Sequence, residues 1–274
     1  MKKIIFLLFC SFTFIGFCFA QEQLVLGKVY SIQSKILKED RKLNIYTPEG
    51  YHADSSKTYP VIYLLDGSAN EDFIHIVGIV QFLTMIDAMP KSIVVGIANV
   101  DRKRDFTFST TIKKDKEDFP TTGGSANFIN FLAKEVQPFV EQKFKTNASK
   151  TIIGQSLGGL LATEILLKQS KLFNNYVIIS PSLWWDKQSL LENAETIIST
   201  QKLTSTKVYI AVGEEGKVMK DDAKKLSELL QKNKDLKVNF EFFGKEDHAT
   251  ILHNSVYQIL LKMYKKGNSL FQNL

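Results

Sequence analysis

The sequence predicts an α/β fold with a mostly parallel central sheet, antiparallel strands at its N-terminal end and helices on both faces. Two segments with strand character open the chain, at about 24–33 and 36–47. Later apolar runs are continuous, as expected of strands that are buried on both faces. Segments with helical spacing separate these runs. An antiparallel opening followed by alternating β and α units is typical of a doubly wound sheet.

The predicted elements follow in a regular order. After a polar loop at 48–59, the run YPVIYLLDG predicts a buried strand, a helix follows at about 71–88, and SIVVGIAN predicts the next strand. Residues 100–124 show no clear period and predict a long loop, which in a compact domain is often functional. The remaining elements are a helix that Ser125 can cap, a strand at 150–155, a helix at 157–169, the strand YVIISPS, a helix at about 187–200, the strand KVYIAVGE, a helix at about 218–233, the strand KVNFEFF and a helix from about 249.

The first twenty residues are typical of a secretory signal peptide. Lys2 and Lys3 precede an apolar run at 4–19, and the small residue Ala20 ends it. A transmembrane anchor is the alternative, but the run is short and lacks a basic stop-transfer flank. We therefore expect cleavage after Ala20, one mature domain at 21–274, no stable membrane insertion, and export to the periplasm or the extracellular space.

Composition argues against several kinds of function. Both cysteines, Cys10 and Cys18, lie inside the predicted leader. We therefore expect no disulfide, no thiolate nucleophile and no cysteine-bound metal in the mature chain. The formal net charge of +6 falls to +4 without Lys2 and Lys3 of the leader, and the remaining lysines are spread over predicted helices and turns. That spread is typical of solvated faces and argues against a nucleic-acid-binding surface.

The segment TIIGQSLGGLLATEIL, at 151–166, contains a candidate nucleophile. Its GQSLG portion matches G-x-S-x-G between a predicted strand and a predicted helix, which places Ser156 on a sharp turn. We expect side chains at positions 154 and 158 to strike the neighbouring strand and helix. The same pattern also occurs in turns without chemistry. A serine hydroxyl becomes a nucleophile only when a base takes its proton.

One of the four histidines has the position expected of that base. His248 lies between the last predicted strand and the last predicted helix, after the nucleophile in the chain, which is the order found in α/β serine hydrolases. A surface or helix-face role is favoured for His52, His75 and His253. The sequence therefore predicts that His248 is the general base.

The acid that orients the base is expected on the loop after the strand KVYIAVGE. Glu215 is our choice. Glu214, Asp221 and Asp222 remain alternatives, although a solvated carboxylate or a helix-capping role would also explain each of them.

Backbone N–H groups are expected to hold the oxyanion. One is that of Leu157, directly after the nucleophile, and the second comes from the loop in LLDGSAN, where Gly67 and Ser68 are the candidate donors. Asp66 either braces this loop or is an ordinary turn residue.

Five segments taken together resemble the α/β-hydrolase esterase family: GQSLGG, SPSLWWD, LLDGSAN, VGEEGKVM and GKEDHATIL. Members of that family include ferric-siderophore trilactone esterases and feruloyl or acetyl carbohydrate esterases. The segment SPSLWW is most similar to esterases of the bacillibactin and enterobactin type. The resemblance spans about 24–265 and implies an α/β-hydrolase fold, Ser156 as nucleophile, His248 as base and an oxyanion loop at 66–68. It also leaves open a Ser-His dyad without a tightly coupled acid.

The resemblance also implies residues that contact the substrate. In siderophore esterases an arginine in the segment that reads RKRD here faces the anionic ligand, which makes Arg104, with Arg102 beside it, a candidate contact. Trp184 and Trp185 are candidates to stack on a catecholate or sugar ring. The alternatives are surface arginines and a tryptophan pair that packs beneath a loop.

These observations predict a secreted serine esterase that acts through an acyl-enzyme on a small-molecule ester and needs neither a metal nor an organic cofactor. A siderophore trilactone is the first candidate substrate, and a feruloylated or acetylated carbohydrate is the second. The alternative from another class is a non-catalytic binding protein on the same scaffold, since a fold does not fix a function.

Overall fold

A computed structural model describes residues 22–200 and 206–264, so the predicted leader lies outside the described residues. Eight strands form one sheet in the order β1-β2-β4-β3-β5-β6-β7-β8. The strands are β1 (Lys28–Ser34), β2 (Glu39–Tyr46), β3 (Tyr59–Leu64), β4 (Ile93–Ile97), β5 (Thr146–Gln155), β6 (Asn175–Ile179), β7 (Thr206–Gly213) and β8 (Leu236–Phe243). Strand β2 is antiparallel to both of its neighbours, and every other pair is parallel. The predicted fold class is therefore confirmed.

Helices connect the strands. They are α1 (Phe73–Met85), α2 (Arg102–Phe106), α3 (Lys113–Asp118), α4 (Ser125–Phe131), α5 (Gln137–Lys143), α6 (Leu157–Lys168), α7 (Trp185–Glu192), α8 (Ala194–Thr200), α9 (Lys217–Gln231) and α10 (Ile251–Tyr264). A π-helical turn joins α4 to α5. Within the part of the chain that the structure describes, no helix is long and apolar enough to cross a membrane.

The sheet carries an apolar core on each face because successive side chains of a strand point to opposite sides. In β3, Val61 and Tyr63 belong to one core, which they share with apolar residues of α4, α6 and α9. Ile62 and Leu64 belong to the other, which they share with α1 and α10. All four side chains are almost completely buried. This two-sided burial explains why the strands read as continuous apolar runs.

The strand order reverses direction at β3. The chain passes from β3 to β4 on one side, whereas β5 pairs with β3 on the other. In open α/β sheets, ligands bind beyond the carboxyl ends of the strands at such a reversal. The loop after β3 contains Gly67 and Ser68, and β5 runs directly into Ser156. The predicted oxyanion loop and the predicted nucleophile therefore lie on adjacent strands at this point.

The prediction of a long loop at 100–124 was wrong in part, because the segment contains α2 and α3. Both helices are too short to show an apolar period. The carboxylate of Asp101 caps α2 by accepting the N–H of Arg104 at 3.0 Å. Asp105 in α2 accepts a hydrogen bond of 2.6 Å from the fully buried Arg41 of β2. This ion pair holds α2 against the sheet.

Two further helix predictions need correction. Gly124, and not Ser125, occupies the N-cap of α4, and the hydroxyl of Ser125 is buried without a hydrogen-bond partner. The backbone explains the difference, because the N–H of Ser125 donates to the carbonyl of Thr107 at 3.1 Å and draws the residue into the interior. The single helix expected at 187–200 is divided into α7 and α8.

Candidate active site

Ser156 lies on a strained turn between β5 and α6. Its backbone has φ 59° and ψ −120°, a conformation that is uncommon for a residue with a side chain and persists only where the surroundings impose it. The Ser156 N–H donates to the carbonyl of Ile179 at 3.0 Å, and its carbonyl accepts the N–H of Leu160 at 2.9 Å and that of Ser182 at 3.0 Å. Three hydrogen bonds thus hold the turn that presents the Ser156 hydroxyl.

The glycines around Ser156 differ in how much space they have. A Cβ atom added to Gly154 would lie 2.4 Å from the carbonyl oxygen of Gly158, so this glycine is required. A Cβ on Gly158 would meet its nearest atom, in Asp66, at 3.4 Å, which is an ordinary contact. The expected clash at position 158 is therefore absent. Gly159 is the tight position instead, because a Cβ there would lie 2.9 Å from the carbonyl oxygen of Ile179.

His248 and Glu215 form a directly bonded pair. His248 lies between β8 and α10, and its Nδ1 is 2.6 Å from Oε2 of Glu215, which follows β7. The Glu215 side chain is 2% exposed, whereas that of His248 is 47% exposed. When Nδ1–H donates to the carboxylate, Nε2 is left as the proton acceptor. Gln155 fixes the backbone at the same place, because its Nε2 donates to the His248 carbonyl at 2.5 Å.

The surroundings of Glu215 keep its carboxylate ionised. Burial by itself would raise the pKa of Glu215, but hydrogen bonds from the His248 ring, the Ser180 hydroxyl and the Gly213 N–H outweigh burial and lower it below its usual value. An ionised acceptor next to Nδ1 stabilises the imidazolium that forms when the base takes a proton. The geometry therefore suits Glu215 to the role of triad acid.

The three alternative acids have other partners. Glu214 pairs with Lys220, and Asp221 pairs with Lys217. Asp222 accepts two hydrogen bonds from Nε2 of Gln188, at 2.9 and 3.1 Å. Of the four candidates, the structure brings only Glu215 into contact with His248.

Ser156 and His248 line a common cavity with a volume of about 500 Å³. Its other lining residues are Ser182, Trp184, Glu214, Glu215, Met219, Asp247 and Ala249. The hydrogen-bond partner of Ser156 Oγ is the Ser182 hydroxyl, at 3.3 Å, and not the imidazole. Catalytic hydrogen bonds are often long without a substrate and tighten when it binds. The cavity thus presents the candidate nucleophile and the candidate base to the same ligand.

The two tryptophans have different surroundings. Trp184 is partly buried and lines the cavity. Trp185 is fully buried, and its Nε1–H donates to the carbonyl of Phe108 at 3.0 Å. Trp184 can therefore contact a ligand, whereas Trp185 packs beneath the segment between α2 and α3.

The predicted oxyanion donors also differ in availability. Leu157 is the first residue of α6, so its N–H has no acceptor within the helix. The Ser68 N–H faces Oε2 of Glu71 at 3.3 Å, a long hydrogen bond. The Gly67 N–H donates to the carbonyl of Ile97 at 3.0 Å and is not available. Leu157 and Ser68 remain as the candidate donors, and Gly67 does not.

Asp66 braces the loop that carries Ser68. It accepts two hydrogen bonds from Arg102, at 2.6 and 2.8 Å, and one from Asn99 Nδ2 at 2.7 Å. Arg102 also donates to the carbonyl of Gln155 at 3.4 Å. Arg102 thus ties the loop after β3 to the end of β5, and its contact with substrate stays a prediction.

The guanidinium of Arg104 is held away from the cavity. It donates to both carboxylate oxygens of Glu39, at 3.0 and 2.6 Å, and to Asp105 at 2.7 Å. With three charge-assisted hydrogen bonds, this arginine stabilises the packing of α2 on β2. The structure therefore does not bring Arg104 together with the other predicted site residues.

Sequence reasoning missed three polar side chains next to the predicted triad: Gln155, Ser180 and Ser182. Each directly precedes a turn or lies within one, where local periodicity carries no information. The signal available was the segment SPSLWWD, which contains both serines but gives no indication of the partner of either hydroxyl.

The chain is similar to several known proteins. Ferri-bacillibactin esterase BesA of Bacillus subtilis is 29% identical over 247 residues, which cover 78% of this chain and 82% of BesA. The crystal structure of an IroE-like serine hydrolase from Shewanella oneidensis superposes with a TM-score of 0.80 at 30% identity, covering 87% of this chain and 80% of that one. For the BES protein from Bacillus cereus, the TM-score is 0.76 at 31% identity, with 88% and 97% of the two chains covered.

The family described as Putative esterase matches residues 34–257, a range that runs from the end of β1 into α10 and includes Ser156, Glu215 and His248. The chain therefore belongs to the Putative esterase family of carboxylic ester hydrolases.

Proposed function

We propose that the chain is an exported serine esterase that forms an acyl-enzyme on Ser156. The observation that carries this proposal is that a strained Ser156 and a His248–Glu215 pair bonded at 2.6 Å line one cavity of about 500 Å³. This combination supplies a nucleophile, a base and an acid that orients the base.

The first half of the reaction acylates the enzyme. Ser156 Oγ attacks the ester carbonyl carbon while its proton passes to Nε2 of His248. The tetrahedral oxyanion accepts the N–H of Leu157 and competes with Glu71 for the N–H of Ser68. The C–O bond to the alcohol then breaks, and the leaving oxygen takes the proton from His248. The acyl group remains on Ser156.

The second half returns the free enzyme. His248 takes a proton from water as the water oxygen attacks the acyl carbonyl. The bond to Ser156 Oγ breaks, the serine regains a proton from His248, and the carboxylic acid leaves. Glu215 stays ionised throughout, because its three hydrogen-bond donors stabilise the charged form.

We propose a siderophore ester as the substrate. BesA carries the name ferri-bacillibactin esterase, and the alignment with this chain spans 82% of it. Trp184 in the cavity wall suits an aromatic group next to the scissile ester.

Replacement of the nucleophile tests the reaction. Ser156→Ala is expected to lower kcat on a short-chain p-nitrophenyl ester by about 10³-fold or more, because the group that is acylated is lost. Ser92→Ala is a suitable control, since it removes the hydroxyl of a fully buried serine that donates to the carbonyl of Pro90 at 2.8 Å. Full activity in Ser156→Ala would overturn the proposal, and an unreactive wild type would favour a non-catalytic binding protein.

A comparison of substrates tests the proposed class. Hydrolysis of a ferric catecholate trilactone is expected to show a higher kcat/KM than hydrolysis of a feruloylated or acetylated oligosaccharide. The opposite ranking would reject the siderophore ester in favour of a carbohydrate substrate.

The proposed export has a separate test. Expression of the full chain in a bacterium that secretes through a cleavable leader is expected to release a protein whose first residue is Gln21. A product that keeps residues 1–20 in the cytoplasm would contradict export.

A further inference from the structure

The turn that follows β6 contacts both ends of the proposed triad. We call residues 180–182, with the sequence Ser-Pro-Ser, the SPS turn. Strand β6 pairs with β5, which leads to Ser156, and with β7, which leads to Glu215. The SPS turn therefore lies between the nucleophile and the acid.

The first serine of the turn holds the acid. Ser180 is fully buried, its hydroxyl donates to Oε1 of Glu215, and its N–H donates to the carbonyl of Ala211 at 2.8 Å. Its φ of 42° is uncommon for a residue with a side chain. Such strain persists where the surroundings demand it, and here it accompanies a hydroxyl directed at the carboxylate.

The last serine of the turn contacts the nucleophile. Ser182 is 2% exposed, and its Oγ is 3.3 Å from Oγ of Ser156. Its N–H donates to the Ser156 carbonyl at 3.0 Å. Between the two serines, Pro181 packs on Gly159 so closely that a Cβ on the glycine would lie 2.9 Å from the proline Cα. The backbone thus fixes the separation of the two hydroxyls.

We propose that the hydroxyls of Ser180 and Ser182 are positioning groups for ester hydrolysis, the first acting through Glu215 and the second through Ser156. The inference rests on the proposed role of Ser156 as nucleophile. When the Ser182 hydroxyl donates to Ser156 Oγ, the Ser156 proton cannot point at Ser182 and is free to point towards His248. The hydroxyl of Ser180 holds the carboxylate that fixes the imidazole tautomer. One turn thereby aligns the nucleophile with its base.

Ser182→Ala tests the nucleophile side. The hydrogen bond that the N–H of residue 182 donates to the Ser156 carbonyl does not need a side chain, so we expect the turn to keep its backbone path. We expect the rate of labelling by a fluorophosphonate and the kcat on a p-nitrophenyl ester to fall about five- to tenfold with KM unchanged, as for loss of one neutral hydrogen bond in the reacting state. Ser182→Thr, which keeps a hydroxyl, is expected to recover most of the rate.

A control variant distinguishes a positioning role of the Ser182 hydroxyl from a general effect on folding. Ser92→Ala also removes a buried hydroxyl. Ser92 directly precedes β4, at the amino end of that strand and away from the proposed site, so this variant is expected to label at the wild-type rate. The inference is overturned if Ser182→Ala labels as fast as the wild type, or if Ser92→Ala slows labelling equally. Absence of labelling in the wild type would instead overturn the proposed nucleophile, so the two failures are distinguishable.

A double-mutant cycle tests the acid side. Ser180→Ala is expected to lower kcat several-fold in the wild-type background but to have little effect in a Glu215→Ala background, because the hydroxyl acts through that carboxylate. A Ser180→Ala effect of the same size in both backgrounds would show a merely structural role and would overturn this part of the inference.

Discussion

At the scale of single residues, partners distinguish otherwise similar carboxylates. Glu215 and Asp221 are six positions apart and follow the same strand, yet Glu215 is buried among three donors whereas Asp221 is 58% exposed and pairs with Lys217. Burial removes competing water, so the hydrogen bond that the His248 ring donates to Glu215 is stronger than an exposed ion pair. The loss of these two carboxylates should therefore have different consequences.

Glu215→Gln is expected to lower kcat/KM by about 10³- to 10⁴-fold, because an amide cannot hold the imidazole in the required tautomer or stabilise its charge. Asp221→Asn is the matched control and should stay within about twofold of the wild type, since exposed ion pairs contribute little. Steady-state kinetics on one p-nitrophenyl ester measures both. Equal effects of the two variants would contradict the assignment of Glu215 as the acid.

At the scale of elements, the junction of β5 with α6 is built on close backbone approach. Gly159 packs beneath the SPS turn, whereas a Cβ on Gly158 would meet Asp66 at 3.4 Å, an ordinary contact distance. A sequence motif marks Gly158 as a fixed position, but the geometry marks Gly159 as the less replaceable of the two.

Gly159→Ala is expected to destabilise the fold by about 1–3 kcal/mol, because either backbone must shift to admit the Cβ. Gly158→Ala should be neutral or stabilising by up to about 1 kcal/mol, since alanine is the better helix former. Chemical denaturation of the two variants measures the difference. Greater destabilisation by the change at position 158 would show that the description of this junction is wrong.

The N-terminus of α1 should give a pH-dependent contribution to stability. Burial, together with the nearby charge of Asp66, raises the pKa of Asp72 from 3.8 to about 6, despite opposing attraction from His75 and Arg102. Between pH 3.8 and about 6, the Asp72 carboxyl therefore keeps its proton in the folded chain but has lost it in the unfolded chain. As pH rises from 3.8 to about 6, the contribution of Asp72 becomes destabilising, and it remains so at higher pH.

Asp72→Asn should consequently melt at a higher temperature than the wild type at pH 8, because the amide carries no charge to bury. The difference should shrink as pH falls through about 6 and vanish near 3.8. Thermal unfolding of both proteins across this range is the measurement. A gap that widens towards acid would contradict the raised pKa of Asp72.

At the scale of the whole molecule, the sequence predicts the order of strands and helices well because apolar periodicity reports burial directly. Ser156 and His248 could be proposed because each stands at the end of a recognisable strand. The hydrogen bonds of Arg104 and of the SPS turn could not be predicted, because they depend on the packing of segments that are distant in sequence. Arg104 meets Glu39 across 65 positions, a relation that no local pattern encodes.

The measurement that tests the central claim most directly is the location of a covalent adduct. A fluorophosphonate is expected to modify the wild-type chain once, at Ser156, as located by digestion and mass spectrometry. It is expected to leave Ser156→Ala unmodified, although this variant folds with an unchanged Tm. The neighbouring Ser182 hydroxyl, 3.3 Å away, provides an internal comparison. An adduct on Ser182, or equal labelling of wild type and Ser156→Ala, would contradict the claim that Ser156 attacks the ester.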